Sequence, residues 1–176
     1  MLAILQLIVD TVAVILGTVL LLRFWMQAIR VRPPTQLGQF IFTLSDWLVR
    51  PMRRVVPGVG GYDWASLLGG FIVVCLATSI YLIADVDGQT VFLMAVHRFL
   101  SWIIYGFIGL LIIEAVLSWV NPHAPMAPFI RALNEPLLKP LRRVVPLVGG
   151  FDLSLLVAVL LLQIALHILG MLFGFR

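Results

Sequence analysis

Charge is scarce in this chain: Asp, Glu, Lys and Arg make up 11% of 176 residues, against about 25% in typical soluble domains. No long polar stretch is available to build a separate soluble domain. Cysteine occurs once, at Cys75, which excludes an intramolecular disulfide and a Cys-based zinc site and leaves the redox compartment unreadable. No stretch reads as H-E-x-x-H, G-x-S-x-G or a Walker A loop. The glycines of "GVGG", Gly58 to Gly61, have the wrong spacing for a dinucleotide fingerprint and follow no strand pattern. His97, His123 and His167 are far apart in sequence, and two of them without a clear third ligand do not make a metal site. With no catalytic constellation, the expectation is a non-enzyme that carries no metal and no cofactor.

Apolar residues, in contrast, reach 62%, and mean hydropathy is +1.11. A bilayer core of about 30 Å needs roughly 20 apolar residues in a helix. Four runs qualify, at about 2–22, 64–84, 91–120 and 153–174. The first lacks a basic n-region and an A-x-A-like cleavage site and is too long for a signal-peptide core, so it is read as a retained span.

The net charge of +4 is placed as in a membrane protein. Ten of the twelve basic residues lie between spans one and two (Arg23, Arg30, Arg32, Arg50, Arg53, Arg54) or between spans three and four (Arg131, Lys139, Arg142, Arg143). The connection "ADVDGQT" between spans two and three carries Asp85 and Asp87 instead. Basic loops near span ends stay cytoplasmic. The expected arrangement is therefore a multi-pass membrane protein, with both basic loops in the cytoplasm and both termini outside. Nucleic acid is not expected as a partner.

"RPMRRVVPGVGGYD", from Arg50 to Asp63, returns as "KPLRRVVPLVGGFD", from Lys139 to Asp152. A shift of 89 residues aligns the two halves without gaps from Pro33/Pro122 to Leu67/Leu156. Residues 1–88 and 89–176 thus read as two tandem repeats, each with two spans and hence of parallel topology. Ahead of each motif, Leu37, Phe40, Ile41, Leu44 and Leu48, and again Met126, Phe129, Ile130, Leu133 and Leu137, follow helical spacing. Each segment is too short to span. It suits an amphipathic helix lying on the cytoplasmic surface or packed on the protein's own core. Pro51 and Pro140 are expected to end these helices.

Within the motif, Pro57, Gly60 and Gly61, like Pro146, Gly149 and Gly150, form a sharp turn back into the bilayer. Asp63 and Asp152 stand where the next spans begin and can cap exposed N–H groups at the positive end of the helix dipole. Arg53, Arg54, Arg142 and Arg143 fall at headgroup depth, where they meet anionic lipid or dock a partner. Within the spans lie Asp10, Arg23, Arg98 and Glu114. In the repeat register, Asp10 falls beside Arg98 and Arg23 near Glu114, so each acid has a base at similar depth on the other half. Pairing across the halves, snorkelling to an interface, and an ion or proton route all remain open.

The doubled P-x-R-R-x-x-P-x-x-G-G-x-D pattern resembles the YggT family of bacterial membrane proteins, also called the YlmG family. "LLLRFWMQ" (Leu20 to Gln27) and "LSWV" (Leu117 to Val120) resemble that family's segments at the ends of spans one and three. The resemblance implies a small inner-membrane protein without established enzymatic activity. Bacterial relatives are associated with osmotic shock resistance and cell division, chloroplast relatives with nucleoid and thylakoid organisation and with haem attachment to cytochrome b6. The expected function is a non-catalytic scaffold or assembly factor at the membrane surface. An ion or osmolyte channel acting as an oligomer and a haem or cofactor assembly factor are the alternatives.

Overall fold

Long apolar runs form helices because a helix satisfies its backbone polar groups internally, the requirement hydrocarbon imposes. The computed structural model describes residues 2–145 and 152–174 and is all-helical there. The elements are α1 (Leu2–Ala28), α2 (Thr35–Val55), α3 (Trp64–Thr78), continued by a 3₁₀ turn (Ser79–Ala84), α4 (Gly88–Val120), α5 (Ala127–Leu141) and α6 (Leu153–Phe173). Among the described residues, four stretches are long and apolar enough to cross a membrane: Ile4–Ala28, Trp64–Ala84, Gly88–Val120 and Leu153–Phe173. The first runs past the expected limit near residue 22, so Arg23 lies inside its helix. That helix closes on Arg30, held at φ 58° where glycine is usual, with Val31 N–H donating to Met26 C=O and Arg30 N–H to Gln27 C=O.

The main packing joins α1 to α3 and α4 to α6, and α3 and α1 each also meet α4. The amphipathic helices α2 and α5 pack at the end where α1 and α4 finish and α3 and α6 begin. With 21 residues α2 is as long as α6, so polar composition and not length sets it apart from the spans. The expected stripes face the core, with Leu37, Leu44, Leu48, Met126 and Leu137 packed against its clusters, and Phe40 is the exception. Gly38, Ile41, Ser45 and Val49 face inward on α2, while Phe40 is 57% exposed. On α5, Ala127, Phe129, Ile130, Leu133, Asn134 and Leu138 are buried. Ile41, Phe129, Ile130 and Leu133 meet Val19 and Met26 of α1 in one core, with Leu110 and Leu117 of α4 packed against it.

Neither Pro51 nor Pro140 ends its helix, contrary to expectation. Pro51 is internal to α2, Pro136 and Pro140 are internal to α5, and α5 stops one residue after Pro140. A proline removes one ladder bond. Here the buried rows hold the helices together around that loss, with Val49 and Leu138 each fully enclosed.

Candidate functional site

Each amphipathic helix presents a polar pair to the end of a membrane-crossing helix. On α2 the pair is Ser45 and Asp46, reached by Arg23 from α1. The Arg23 Nη1 donates to Ser45 Oγ at 2.6 Å and to Asp46 Oδ1 at 2.7 Å. Its Nε stands 3.4 Å from Asp63 Oδ2, near enough for charge attraction but not aligned for a hydrogen bond. Its guanidinium also lies 5.0 Å from the Phe42 ring centroid. Arg23 is 6% exposed, so this charge is answered inside the protein.

Asp63 occupies the N-cap position of α3, but its side chain makes no capping bond to the backbone. It is occupied instead by Arg53, whose Nε and Nη2 donate to Oδ1 and Oδ2 at 3.2 and 2.7 Å, and by Ser66, whose hydroxyl donates to Oδ2 at 2.6 Å. A fork-shaped guanidinium suits such two-point recognition of a carboxylate. Burial alone would raise the Asp63 carboxyl. The bonds from Arg53 and Ser66 and the two nearby guanidiniums hold it below the ordinary carboxylate range. Asp46 is also held low, chiefly by its hydrogen bond from Arg23.

The segment joining Arg53 to Asp63 turns tightly at Gly60 (φ 68°) and Gly61 (φ 83°), flanked by the Val59–Tyr62 bridge. Two successive positive φ values are the signature of a turn that side chains with a Cβ resist. Pro57 is exposed just ahead of it. The counterparts Pro146, Gly149 and Gly150 lie outside the described residues.

In the second half Asn134, Glu135, Arg142 and Asp152 stand 89 positions after Ser45, Asp46, Arg53 and Asp63, but Arg23 has Ile112 in its place and Glu114 takes part instead. Asn134 of α5 donates through Nδ2 to Leu110 C=O at 3.0 Å and to Glu114 Oε2 of α4 at 2.8 Å. Arg142 reaches Glu114 at 3.3 Å, Glu135 at 3.1 Å and Asp152 at 2.8 Å. Asp152 differs from Asp63 in accepting the backbone N–H of Ser154 at 3.0 Å, a cap of α6. Burial raises the Asp152 carboxyl, but Arg142 and Ser154 more than reverse this and lower it. The first-half cluster sets two acids (Asp46, Asp63) against three guanidiniums (Arg23, Arg50, Arg53). The second sets three carboxylates around one guanidinium.

The expected Arg23–Glu114 pair does not form. Each residue instead bonds to the amphipathic helix that follows its own span, Arg23 to Ser45 and Asp46 of α2 and Glu114 to Asn134 of α5. On the other side of the bundle, Arg98 Nη2 stands 2.8 Å from Asp10 Oδ1, joining α4 to α1. Arg98 also lies 5.2 Å from the Trp102 ring, and Trp102 fills a notch at Gly17 of α1.

The arginine pairs of the motif divide. Arg53 and Arg142 are engaged by acids of this chain, whereas Arg54 and Arg143 are exposed beside Val55 and Val144, each 82% exposed. Sequence reasoning missed Ser45, Asp46, Asn134 and Glu135. Their signal was present: polar pairs at matching positions of the two halves, each one turn past an apolar residue of the helical stripe.

The sequence model of the CCB3/YggT family matches residues 1–84 and 93–173. A protein of Vibrio alginolyticus described as uncharacterized, in the proC 3′ region, is 34% identical over 163 residues, covering 89% of this chain and 88% of its own. The uncharacterized protein YggT of Escherichia coli strain K12 is 32% identical over 165 residues, 89% of this chain and 84% of its own. An uncharacterized protein of Pseudomonas aeruginosa is 34% identical over 167 residues, 89% of this chain and 83% of its own. No solved structure matches this chain.

Proposed function

The chain belongs to the CCB3/YggT family, and from that premise and the geometry above we propose that it is a non-catalytic scaffold or assembly factor of the bacterial inner membrane. In this reading residues 1–88 and 89–176 are tandem repeats, the face bearing α2 and α5 is cytoplasmic, and both termini are outside. Its task is to meet anionic lipid headgroups or a cytoplasmic partner, in the service of osmotic stress resistance or cell division. One observation carries the proposal. The charges within the spans close on other side chains of the protein, Asp10 on Arg98, Arg23 on Asp46 and Asp63, and Glu114 on Asn134 and Arg142. Charges arranged this way hold helices together, while Arg54 and Arg143 are left available at the surface.

An oligomeric ion or osmolyte channel is the second reading, favoured by the three carboxylates around Arg142, with Glu114 4% exposed on α4. Ion flux in proteoliposomes, measured beside complementation of a deletion strain after hypo-osmotic shock, separates the two. The scaffold reading expects flux no greater than in empty vesicles, and loss of complementation when Arg54 and Arg143 are both changed to Gln at normal protein levels. Robust flux abolished by Glu114→Gln would instead establish the channel.

A further inference from the structure

We propose that the first half carries a site for one anionic phospholipid, with an acyl chain in the groove between α2 and α3 and the phosphate at Arg54. The proposal rests on the surface reading above and narrows it to one ligand at one place. The groove, of about 450 Å³, is lined by Pro51, Met52, Val55 and Val56 from the end of α2 and by Leu68 and Ile72 from α3. Every lining side chain is apolar. A volume of this order is typical of small-molecule sites.

Depth argues for a lipid rather than a soluble ligand. Leu68 and Ile72 stand one turn apart near the start of a membrane-crossing helix, and both are exposed on the outside of the bundle. At 1.5 Å rise per residue, Ile72 lies about 12 Å along the helix from Trp64. The groove therefore starts at the surface helix and continues into the hydrocarbon. A water-soluble anion would have no use for that wall.

One cation stands at its rim. Pro51, Arg54 and Val55 are spaced i, i+3, i+4 on α2 and share a face, so Arg54 borders the groove. Arg53 is excluded from the role because its fork is closed on Asp63. Arg50 is excluded because it lies on the far side of α2 from the lining residues and pairs with Asp46 at 2.7 Å. The same combination occurs again in the sequence. Moved 89 residues along, all six lining positions remain apolar, from Pro140 to Leu161, and Arg54 becomes Arg143.

The test is native mass spectrometry of delipidated protein in mild detergent, titrated with phosphatidylglycerol, with phosphatidylcholine, and with inorganic phosphate as competitor. Wild type is expected to retain phosphatidylglycerol in preference to phosphatidylcholine, with no competition from phosphate. Leu68→Trp, which fills the groove, removes one adduct per protein, and Arg54→Gln weakens that adduct about fivefold. Val116→Trp, on an exposed face of α4, changes nothing, and melting temperatures confirm that all three variants fold. If Leu68→Trp leaves the adducts intact while Arg54→Gln and Arg143→Gln remove them, the groove is wrong and the surface reading stands. Equal retention of both lipids, indifferent to all of these arginines, sinks both. Displacement by phosphate alone replaces the lipid with a soluble anion and overturns the proposal.

Discussion

Arg53 and Asp63 grip each other through two bonds, Nε to Oδ1 and Nη2 to Oδ2, across a turn of ten residues. This clasp fixes where α2 ends relative to where α3 begins, and Arg142 approaches Asp152 in the corresponding place. Adjacent arginines therefore differ in kind. Arg53→Gln and Arg142→Gln should each lower stability in detergent by about 1–2 kcal/mol, a charged hydrogen bond's worth reduced for partial exposure. Arg54→Gln and Arg143→Gln should leave the melting temperature within error. Equal losses at all four positions would show that the division between clasp and surface residues is false.

Arg23 and Glu114 serve separate clusters, so their removal should add. Arg23→Met removes two bonds from the Ser45–Asp46 pair and one charge from beside Asp63, leaving Asp46 to Arg50 and Asp63 to Arg53 and Ser66. Glu114→Leu takes one partner each from Asn134 and Arg142. Breaking a buried ion pair costs about 3–5 kcal/mol, and sites without shared partners combine to within about 0.5 kcal/mol. A double-mutant cycle should therefore find negligible coupling between Arg23 and Glu114 and substantial coupling between Arg23 and Asp46. Recovery of stability in the Arg23→Met/Glu114→Leu double variant would contradict this arrangement.

Trp102 of α4 packs against Gly17 of α1 where a side chain would stand. A Cβ there would clash with the Trp102 ring, so Gly17→Ala must push the indole away and disturb its contact with Arg98. A cost of about 1–3 kcal/mol is expected, with most of it restored by Trp102→Leu in the same chain. Thermal unfolding in detergent measures both, and a fully tolerated Gly17→Ala would mean the notch is not tight.

The depressed carboxyls of Asp46, Asp63 and Asp152 give stability a pH dependence of definite sign. A carboxylate whose folded pKa lies below its unfolded value of about 3.9 contributes fully above that value and loses the contribution as pH falls through the folded pKa. Melting temperature should hold steady from pH 7 to about 5 and drop below about 4. Asp63→Asn should be less stable at neutral pH and show a shallower acid limb. An acid limb unchanged by Asp63→Asn would remove this residue from the account.

Orientation is checked by cysteine labelling in a Cys75→Ala background. Gln36, exposed on α2, and Gln89, exposed at the start of α4, are placed inside and outside respectively by the basic-loop rule. An impermeant thiol reagent applied to intact cells should modify a cysteine at 89 and spare one at 36. The reverse pattern would invert the topology.

Apolar length and charge placement made the four long helices legible, because both act over twenty or more residues. The turn at Gly60 and Gly61 was legible because few residues but glycine adopt two successive positive φ values. What escaped was set by neighbours distant in sequence. Whether Arg23 meets Glu114 or Asp46 depends on how closely α2 lies against α1, and no spacing along the chain encodes that distance. Proline at 51 and 140 misled for the same reason: a local stop signal was outweighed by buried rows whose partners come from other helices. On α2 the apolar stripe pointed inward as read except at Phe40, and what escaped was Ser45, whose burial makes sense only once Arg23 is beside it.

Trp25 of α1 donates its indole N–H to the Leu133 carbonyl at 2.9 Å, more than a hundred residues later, and the core above it takes Phe129 and Ile130 from the same helix. A ribosome making this chain delivers α1 and α2 long before α5 exists. During that interval the Trp25 donor has no Leu133 to bond, and Ile41 has no neighbour from α5. The cluster of Leu20, Val49 and Ala65 and the pairs Arg23–Asp46 and Arg53–Asp63 need nothing from α5 and can form first. Translation runs from first residue to last, so the core of Val19, Met26 and Ile41 is the part completed only when Phe129, Ile130 and Leu133 arrive.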